Sequence, residues 1–523
     1  MNRSDSNLPV GSPTGFWPPA TSSRATKTPA SEEPAVRVLL IDIDSQRPDH
    51  LGCYGYHRDT SPNIDSIAAR GTRFDSCYVS DSPCVPGRAS LFGGMFGINN
   101  GVVTHWGPGS EYRLPADIHL ERAGGLTLTM ARNFLVNGYY TASVSSFADR
   151  HHAFWHTSGF REYHHHTLKR GNETADEVNA AALPVLERIC QKDDWLLHVN
   201  YWDPHRRYRV PPEWMTKFDG QPPPDWPDQA TLDAQQDLSG PFTPPTVNPY
   251  RDPETGTVPD TRFDRLSDFE EWINGYDGSI AYVDYHIGQL LEVLEDQGVL
   301  DDTCIIITAD HGEAQGEFGI YGDHCNGYEA PHHIPLIISW PGRVAEGAVR
   351  DEFVYSLDIA PTLCDLAGID PQSGWDGASL APLLGAAGEF PSRDHLVLSH
   401  GLYACQRSVR TRDWYLTRTY HPGLFDYPPL SLYDMRCDPR QTNNLATERS
   451  DVVAELDHLL TEWTHRQAGR PGHPGDPMPK VIESGPFKYV PYEYWIDYLR
   501  EQGRGHAAER IAARLRHWPD WEV

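Results

Sequence analysis

Residues 36–43 read VRVLLIDI, and this stretch decides the fold. The run is continuously apolar, rich in β-branched side chains, and followed at once by Asp44. Such a run is typical of a strand that is covered on both faces in a parallel sheet. Runs of the same kind predict further strands at TASVSSF (141–147), WLLHVNYW (195–202), CIIIT (304–308) and PLIISW (335–340).

Helical patterns alternate with these strands. They cover residues 62–70, 88–95, 125–137, 174–190 and 277–297. Strands that alternate with helices predict an α/β fold, here a large, mixed, mostly parallel sheet flanked by helices. We assign this part to residues 35–390.

The pattern changes after residue 395. Short segments such as HLVLSH and WYLTRTY are spaced like antiparallel strands, and helices are predicted at 449–466 and near 504–517. Residues 391–523 therefore predict a smaller C-terminal α+β domain built on an antiparallel sheet, with a tail. Residues 1–34 are rich in Ser, Thr, Pro and Gly and predict a disordered tail. Residues 209–262 predict a long surface excursion with little regular structure.

Composition limits the classes of function. The 523 residues carry a formal charge of −29, which argues against a nucleic-acid partner but not against a small anionic substrate held by a metal and a few arginines. No stretch approaches the roughly 20 apolar residues of a membrane helix, and the first 35 residues do not resemble a signal peptide. The nine cysteines lack the spacing of a disulfide framework. We therefore expect a cytoplasmic protein with no membrane partner, and self-association stays open.

Acidic side chains follow two of the predicted strands. Asp44 follows the first, while Asp310 and His311 follow CIIIT in the sequence TADHGE. Because ligands bind beyond the carboxyl ends of parallel strands, these residues are candidate ligands of one divalent cation. The alternative for each aspartate alone is a helix cap or turn. We expect Asp42 to point to the opposite face and to bind a neighbouring element instead.

A cysteine opens one of the predicted helices, in SPCVPGRASL (82–91). Cys84 lies where the backbone N–H groups and the helix dipole stabilise negative charge, and Arg88 lies one turn further along the helix. Cys84 is therefore a candidate nucleophile. The alternative is an inert buried cysteine.

CVPGR resembles the C-x-P-x-R signature of the type I sulfatases, which belong to the alkaline-phosphatase-like superfamily. In that family a maturation enzyme oxidises the cysteine to formylglycine. VLLIDIDSQRPDHLGCYGY, YWDPHRRY and IIITADHGEAQGEFGIYGDH are similar to further family segments, in the family's order. PLIISWPG and LYDMRCDPRQTNNLA continue the resemblance towards the C-terminus.

The resemblance implies a metal-dependent sulfatase with a catalytic domain at 35–390. It assigns Asp44, residue 84, Asp310 and His311 to the cation, with Ca²⁺ expected first and Mn²⁺ or Mg²⁺ as alternatives. One hydroxyl of the hydrated formylglycine would attack sulfur, and the other, once deprotonated, would expel sulfate. Arg88 would stabilise the hydrate, His205 would handle its proton or contact sulfate, and His324 could protonate the leaving alkoxide. For both histidines an ordinary loop residue is the alternative.

The chain departs from the family pattern at the substrate. Ser45 stands where many relatives have a second aspartate, and Asp323 stands where they usually have a lysine; a second lysine, in G-K-x-H, is also missing. We expect replacement substrate contacts from Arg150, His151 and His105, with Asp323 in the same binding region.

The sequence is compatible with three functions. The first is hydrolysis of a sulfate ester of a sugar or another small organic molecule. The second is hydrolysis of a phosphonate monoester or phosphodiester within the same superfamily. The third is a non-catalytic binding protein on a sulfatase scaffold, against which the complete C-x-P-x-R sequence argues.

Overall fold

Strand β1 (Arg37–Ile43) enters two hydrophobic cores at once. Leu39 and Ile41 pack on one side of the sheet, and Val38 and Leu40 pack on the other. Successive side chains of a strand point to opposite faces, so the continuous apolar run is explained by helices on both faces. Each fully buried side chain of this size contributes about 1.5–3 kcal/mol relative to exposure.

The computed structural model of the chain describes residues 36–113, 129–165, 169–250, 261–471 and 473–515. The main sheet contains, besides β1, the strands β2 (Thr72–Phe74), β5 (Tyr140–Val144), β6 (Glu162–His164), β7 (Trp195–Tyr201), β8 (Thr303–Thr308), β11 (Leu336–Ser339) and β12 (Ala348–Arg350). Its order is β12-β2-β11-β8-β1-β7-β5-β6. Only β11 runs antiparallel to its neighbours among these strands, which confirms the predicted mixed, mostly parallel sheet.

The helices of the described residues lie between and after these strands. They are α1 (Pro62–Ala69), α2 (Cys84–Gly93), α3 (Gly97–Asn100), α4 (Met130–Val136), α5 (Phe147–His151), α6 (Ala175–Ile189), α7 (Pro212–Met215), α8 (Gln229–Gln235), α9 (Leu266–Asp296), α10 (Glu329–His332), α11 (Ile359–Leu366), α12 (Ser450–Ala468), α13 (Met478–Glu483), α14 (Tyr492–Glu501) and α15 (Gly505–Leu515). The helix predicted at 277–297 thus begins eleven residues earlier, at Leu266. Residues 125–128 of another predicted helix, and the predicted tail at 1–34, lie outside the described residues.

The second sheet is antiparallel, as predicted. It contains β14 (His395–His400), β15 (Cys405–Thr411), β16 (Trp414–His421) and β17 (Leu430–Asp434). One further strand, β4 (Asp81–Ser82), pairs parallel with β14. Because β4 directly precedes Cys84, this sheet takes part in positioning α2. The remaining short strands are β3 (Cys77–Tyr78), β9 (Ala314–Gln315), β10 (Tyr321–Asp323) and β13 (Val354–Tyr355).

The segment 209–262 differs from the predicted surface excursion. Residues 239–247 are buried, and Phe242 and Val247 belong to hydrophobic cores. The segment also contains α7 and α8, which are too short to show a clear periodicity, and its polar, proline-rich composition concealed the packing. Residues 251–260 lie outside the described residues. In the part of the chain that the structure describes, no helix combines the length and the apolar character needed to span a membrane.

A buried ion cluster on α9 anchors the loop that follows β1. The carboxylate of Asp277 lies 2.7 Å from His50 Nδ1 and 2.7 Å from Arg58 Nη1, and it accepts a hydrogen bond from Tyr56. The residue directly before Asp277 in α9, Tyr276, donates its hydroxyl to the carbonyl of Ser45. The long helix therefore holds the backbone directly after Asp44 in place.

Replacing Asp277 by alanine should destabilise the fold by about 3–5 kcal/mol, because Arg58 would remain buried without its counter-ion. Denaturant unfolding followed by circular dichroism measures the change. Asp301→Asn is the matched control, since Asp301 pairs with Arg70 at a largely exposed position and exposed pairs contribute only about 0–1 kcal/mol. Equal effects of the two substitutions would contradict the anchoring role of Asp277.

Candidate active site

The ends of two neighbouring strands bring the predicted ligands together. β1 pairs parallel with β8, so Asp44 lies beside Asp310 and His311 at the same edge of the sheet. One ligand atom from each of Asp44, Cys84, Asp310 and His311 lies within 4.8 Å of all the others, and all four residues are buried. Cys84 Sγ is 3.1 Å from His311 Nε2.

A glycine lets α2 approach this edge closely. α2 begins at Cys84, and all of its residues are buried. A Cβ atom added at Gly87 would lie 2.3 Å from the carbonyl oxygen of Asp310, which is too close for any side chain. Glycine at position 87 is therefore the residue that allows Cys84 and Arg88 to reach the strand ends.

Arg88 neutralises part of the negative charge of the cluster. Its Nε lies 2.6 Å from Asp42, and its Nη1 lies 2.5 Å from Asp310 and 3.2 Å from Asp44. All four side chains are fully buried. One guanidinium thus faces three carboxylates, and charge-assisted hydrogen bonds of this kind are the strong ones in proteins.

Asp42 lies on the same side of the sheet as Asp44, so the prediction of an opposite face was wrong. Residues two positions apart in a strand share a face. Asp42 does bind another element, through Arg88, as predicted.

Ser45, which replaces the family's second aspartate, donates its hydroxyl to Asp44 at 3.1 Å and its backbone N–H to Asp310 at 3.3 Å.

The electrostatics of the cluster fit a divalent cation. Burial by itself raises the pKa of Asp44, but His205 and Arg88 outweigh it and hold that pKa well below its usual range. Burial raises the pKa of Asp310, and although Arg88 opposes the shift, Asp44 adds to it. Two adjacent carboxylates that share one arginine retain excess negative charge, and a cation held by oxygen and imidazole ligands would neutralise it.

The unmodified thiol of Cys84 is a poor source of thiolate. Burial raises its pKa well above the usual range, and the carboxylates of Asp44 and Asp310 raise it further. These effects outweigh the helix N-terminus and Arg88, on which the sequence argument for a stabilised negative charge depended. A bare thiolate nucleophile is therefore disfavoured at this position.

Two imidazoles flank Cys84. The ring nitrogens of His205 and His324 lie within 4.8 Å of one another and of the Cys84 sulfur. Burial lowers the pKa of His205 to about 3 and the pKa of His324 well below its usual value, so both rings are neutral near pH 7. His324 Nδ1 is buried without a hydrogen-bond partner among the described residues.

Cys84 lies at the inner end of a cavity of about 290 Å³. Of the predicted substrate contacts, Arg150, His105 and Asp323 line this cavity. His151 is not among the lining residues; its ring packs behind His105, with 4.8 Å between ring centroids. Asp323 forms a salt bridge of 3.0 Å with Arg206, so its charge is compensated locally.

Several residues of the cavity wall were not predicted from the sequence. Arg206, Arg207 and Arg209 lie within four residues after His205, and this basic run in so acidic a chain was the available signal. Other missed wall residues are Asn172, Tyr250, Leu402, Tyr403 and Tyr489. Tyr489 comes from the segment before α14, far from the other site residues in sequence, and no motif marks it.

With this geometry established, the chain can be compared with known proteins. A sequence model of the family described as Sulfatase matches residues 37–369, more than half of the chain. The chain belongs to the sulfatase family. A second model, described as N-sulphoglucosamine sulphohydrolase, C-terminal, matches residues 316–466. The protein is thus a sulfuric ester hydrolase of the alkaline-phosphatase-like superfamily.

Individual relatives of this sulfatase agree in fold and length. An N-acetylglucosamine-6-O-sulfatase of Bacteroides thetaiotaomicron is 27% identical over 504 residues, covering 85% of this chain and 89% of the relative. A structure described as a complex with its substrate D-glucosamine-2-N,6-O-disulfate has a TM-score of 0.67 at 23% identity and covers 84% of this chain and 99% of that one. The phosphonate monoester hydrolase of Agrobacterium radiobacter has a TM-score of 0.64 at 22% identity, covering 83% and 95%. At such identities the two structures show the shared fold.

Replacing Gly87 by alanine should displace α2 from the strand ends of this sulfatase. We expect a loss of about 1–3 kcal/mol in stability from overpacking and a fall of at least about 100-fold in kcat, because small displacements of reacting groups are costly. Unfolding curves and steady-state kinetics on an aryl sulfate measure both effects.

Gly505→Ala is the matched control for this substitution. An added Cβ at Gly505 meets nothing within 4 Å, so stability should change by less than about 1 kcal/mol and activity should persist. Wild-type kinetics in Gly87→Ala would show that α2 tolerates the added methyl group.

Proposed function

We propose that this sulfatase hydrolyses the sulfate ester of a sugar or other small organic molecule, with Cys84 oxidised to formylglycine as the nucleophile. A formylglycine-generating maturation enzyme would supply the modification. The convergence of Cys84 with Asp44, Asp310 and His311 at the inner end of one cavity carries this proposal. The unfavourable environment for a thiolate supports a nucleophile other than sulfur.

Asp44, Asp310, His311 and the oxygen of formylglycine at residue 84 are the proposed ligands of one divalent cation. Such a cation, when bound, acidifies a hydroxyl and withdraws charge from sulfate oxygens. Ca²⁺ is the ion expected first from the sequence, but Ca²⁺ prefers a ligand set made of oxygen atoms alone. The imidazole of His311 supports Mn²⁺ as the stronger candidate, because transition ions accept nitrogen ligands more readily.

Arg150 is the proposed contact for the sulfate oxygens, in place of the missing family lysines. Its Nη1 donates to the carbonyl oxygens of Arg170 and Gly171, at 3.1 and 3.3 Å, and its guanidinium lies 5.1 Å from the Trp202 ring centroid. These contacts fix the group while its other donors remain available for an anion. His105 Nε2, which is buried without a partner among the described residues, is the second proposed donor.

His205 and His324 are the proposed proton-transfer groups. Both rings are neutral, so a ring nitrogen of His205 can accept a proton from the nucleophile. The proton that His205 accepts would pass to the free Nδ1 of His324, whose other ring nitrogen would give up its proton to the leaving alkoxide. Arg88 holds the carboxylates of Asp44 and Asp310, which would bind the cation, and it would stabilise negative charge that develops at residue 84.

The cavity wall supports a sugar as the organic part of the substrate. Tyr250, Tyr403 and Tyr489 present rings and hydroxyl groups beside the charged inner end, which suits a ring that is apolar on its face and polar at its edge. The relative of Bacteroides thetaiotaomicron that acts on N-acetylglucosamine 6-O-sulfate points to the same class.

Cys84→Ala should abolish turnover, with kcat lower by at least about 1000-fold, because no other group can form the covalent intermediate. In the wild-type protein, intact mass should reveal the exchange of H₂S for O that converts cysteine to formylglycine. Turnover should be faster on an aryl sulfate than on an aryl phosphonate. An unoxidised but fully active Cys84 would overturn the proposed nucleophile, and a preference for the phosphonate would overturn the proposed reaction.

Removal of the cation by a chelator should lower both thermal stability and activity. Readdition of an ion at about 100 times its Kd should restore about 2.7 kcal/mol of stability, and at equal concentrations of the two ions Mn²⁺ should restore more than Ca²⁺. Asp44→Asn should lose this response in both the melting temperature and the metal content. Asp49→Asn is the control, because Asp49 pairs with Arg47 outside the cluster. A melting temperature that does not change when the chelator is added would contradict the proposed metal site.

A further inference from the structure

The cavity in front of Cys84 is basic, although the chain as a whole is strongly acidic. Its wall contains Arg150, Arg206, Arg207 and Arg209 against Asp323 as the one acidic side chain, while the formal charge of the chain is −29. Arg206 pairs with Asp323 at 3.0 Å. The other three arginines form no salt bridge with any residue that the structure describes.

Arg207 and Arg209 differ from Arg150 in depth. Both are exposed, whereas Arg150 is half-buried and Cys84 is buried at the inner end of the cavity. Since Arg150 is the proposed contact for the sulfate that is cleaved, the two outer arginines lie further along the wall. Tyr250, Tyr403 and Tyr489 line the same cavity as the inner and the outer arginines.

The outer arginines repel one another and form no salt bridge with an acidic side chain among the described residues. Partial desolvation in the cavity wall lowers the pKa of Arg209, and the charges of Arg207 and Arg150 lower it further. Asp203 and Glu173 oppose this shift, but both are buried and bound elsewhere. Asp203 accepts from the backbone N–H of Ala175, and Glu173 accepts from Ser146 and from the backbone of Gly171.

We infer that Arg207 and Arg209 form a second anion subsite at the mouth of the cavity. The preferred substrate then carries another negative group, a carboxylate or a second sulfate, on the sugar unit whose sulfate is cleaved or on the unit attached to it. This inference rests on the proposed function. Guanidinium groups bind both carboxylate and sulfate through paired N–H donors. An anion bound to both arginines would also reduce the repulsion between their positive charges. A cavity of about 290 Å³ keeps both negative groups within one small substrate segment.

Matched substrates test the outer arginines separately from the inner sulfate contact. Hexose monosulfates are compared with hexose disulfates, and sulfated hexoses with uronates that carry the same sulfate, so that each pair differs by one negative group. We expect kcat/KM of the wild-type protein to be at least about 10-fold higher for the more highly charged member of at least one pair, mainly through KM. The pair that shows the preference identifies the group as sulfate or carboxylate.

The double variant R207Q/R209Q should lose this preference. We expect kcat/KM for the more highly charged substrate to fall by about 10-fold or more, and for the monosulfate by less than about threefold. The salt dependence of kcat/KM should also become shallower, since exposed charges are screened by salt. R466Q is the matched control, because Arg466 is an exposed arginine of α12 that does not line the cavity and its loss changes the net charge equally per site.

Binding measurements keep this test independent of turnover. Titration calorimetry on Cys84→Ala, with and without R207Q/R209Q, compares Kd for the same substrate pairs. Loss of the preference in the variant supports the subsite. Equal Kd for the members of every pair, or equal weakening of all substrates by R207Q/R209Q, overturns it. Absence of hydrolysis by the oxidised wild-type protein together with a retained binding preference would reject the proposed function and leave the subsite intact.

Discussion

The pairing of one buried guanidinium with three buried carboxylates is the constraint on which the site depends. Arg88 can reach Asp42, Asp44 and Asp310 only because α2 lies against the strand ends, and α2 can lie there only because position 87 lacks a side chain. A buried charge without its partner costs several kcal/mol, so the cluster, the helix and the two strands have to form together. The same arrangement fixes Cys84 beside His311. The position of Cys84 and the stability of the core therefore depend on the same contacts.

The second feature that governs function is the contrast between net charge and local charge. A chain with a formal charge of −29 repels anions at long range, but salt screens exposed charges beyond about 8 Å. Inside the cavity the arginines are close to any ligand and partly shielded from solvent, so their field decides what binds there. An acidic exterior is therefore compatible with an anionic substrate, and selection for that substrate is exerted by a few side chains of the wall.

Much of the fold and part of the site could be predicted from the sequence, because they depend on local patterns. The apolar runs around β1 and β8 indicated the parallel sheet, and the residues directly after them indicated Asp44, Asp310 and His311. The two-residue strand β4 and its pairing with β14 could not be predicted, since such short strands have no periodicity and depend on contacts about 320 positions apart. Tyr489 reaches the cavity by a similar long-range contact. The face of Asp42 was a different kind of error, because strand geometry alone would have placed it beside Asp44.

Asp323, which stands where the family usually has a lysine, is explained by the arginine with which it pairs. Aspartate in place of lysine at position 323 changes the local charge by two units, and read alone it suggests a cavity hostile to anions. In the structure, Arg206 neutralises Asp323 at 3.0 Å, while Phe242 covers the guanidinium with its ring centroid 4.3 Å away. This pair fixes the start of the segment that carries Arg207 and Arg209. Positive charge has therefore moved from strand β10 to the segment after β7, and under the proposed function the substrate is held from a different side of the cavity.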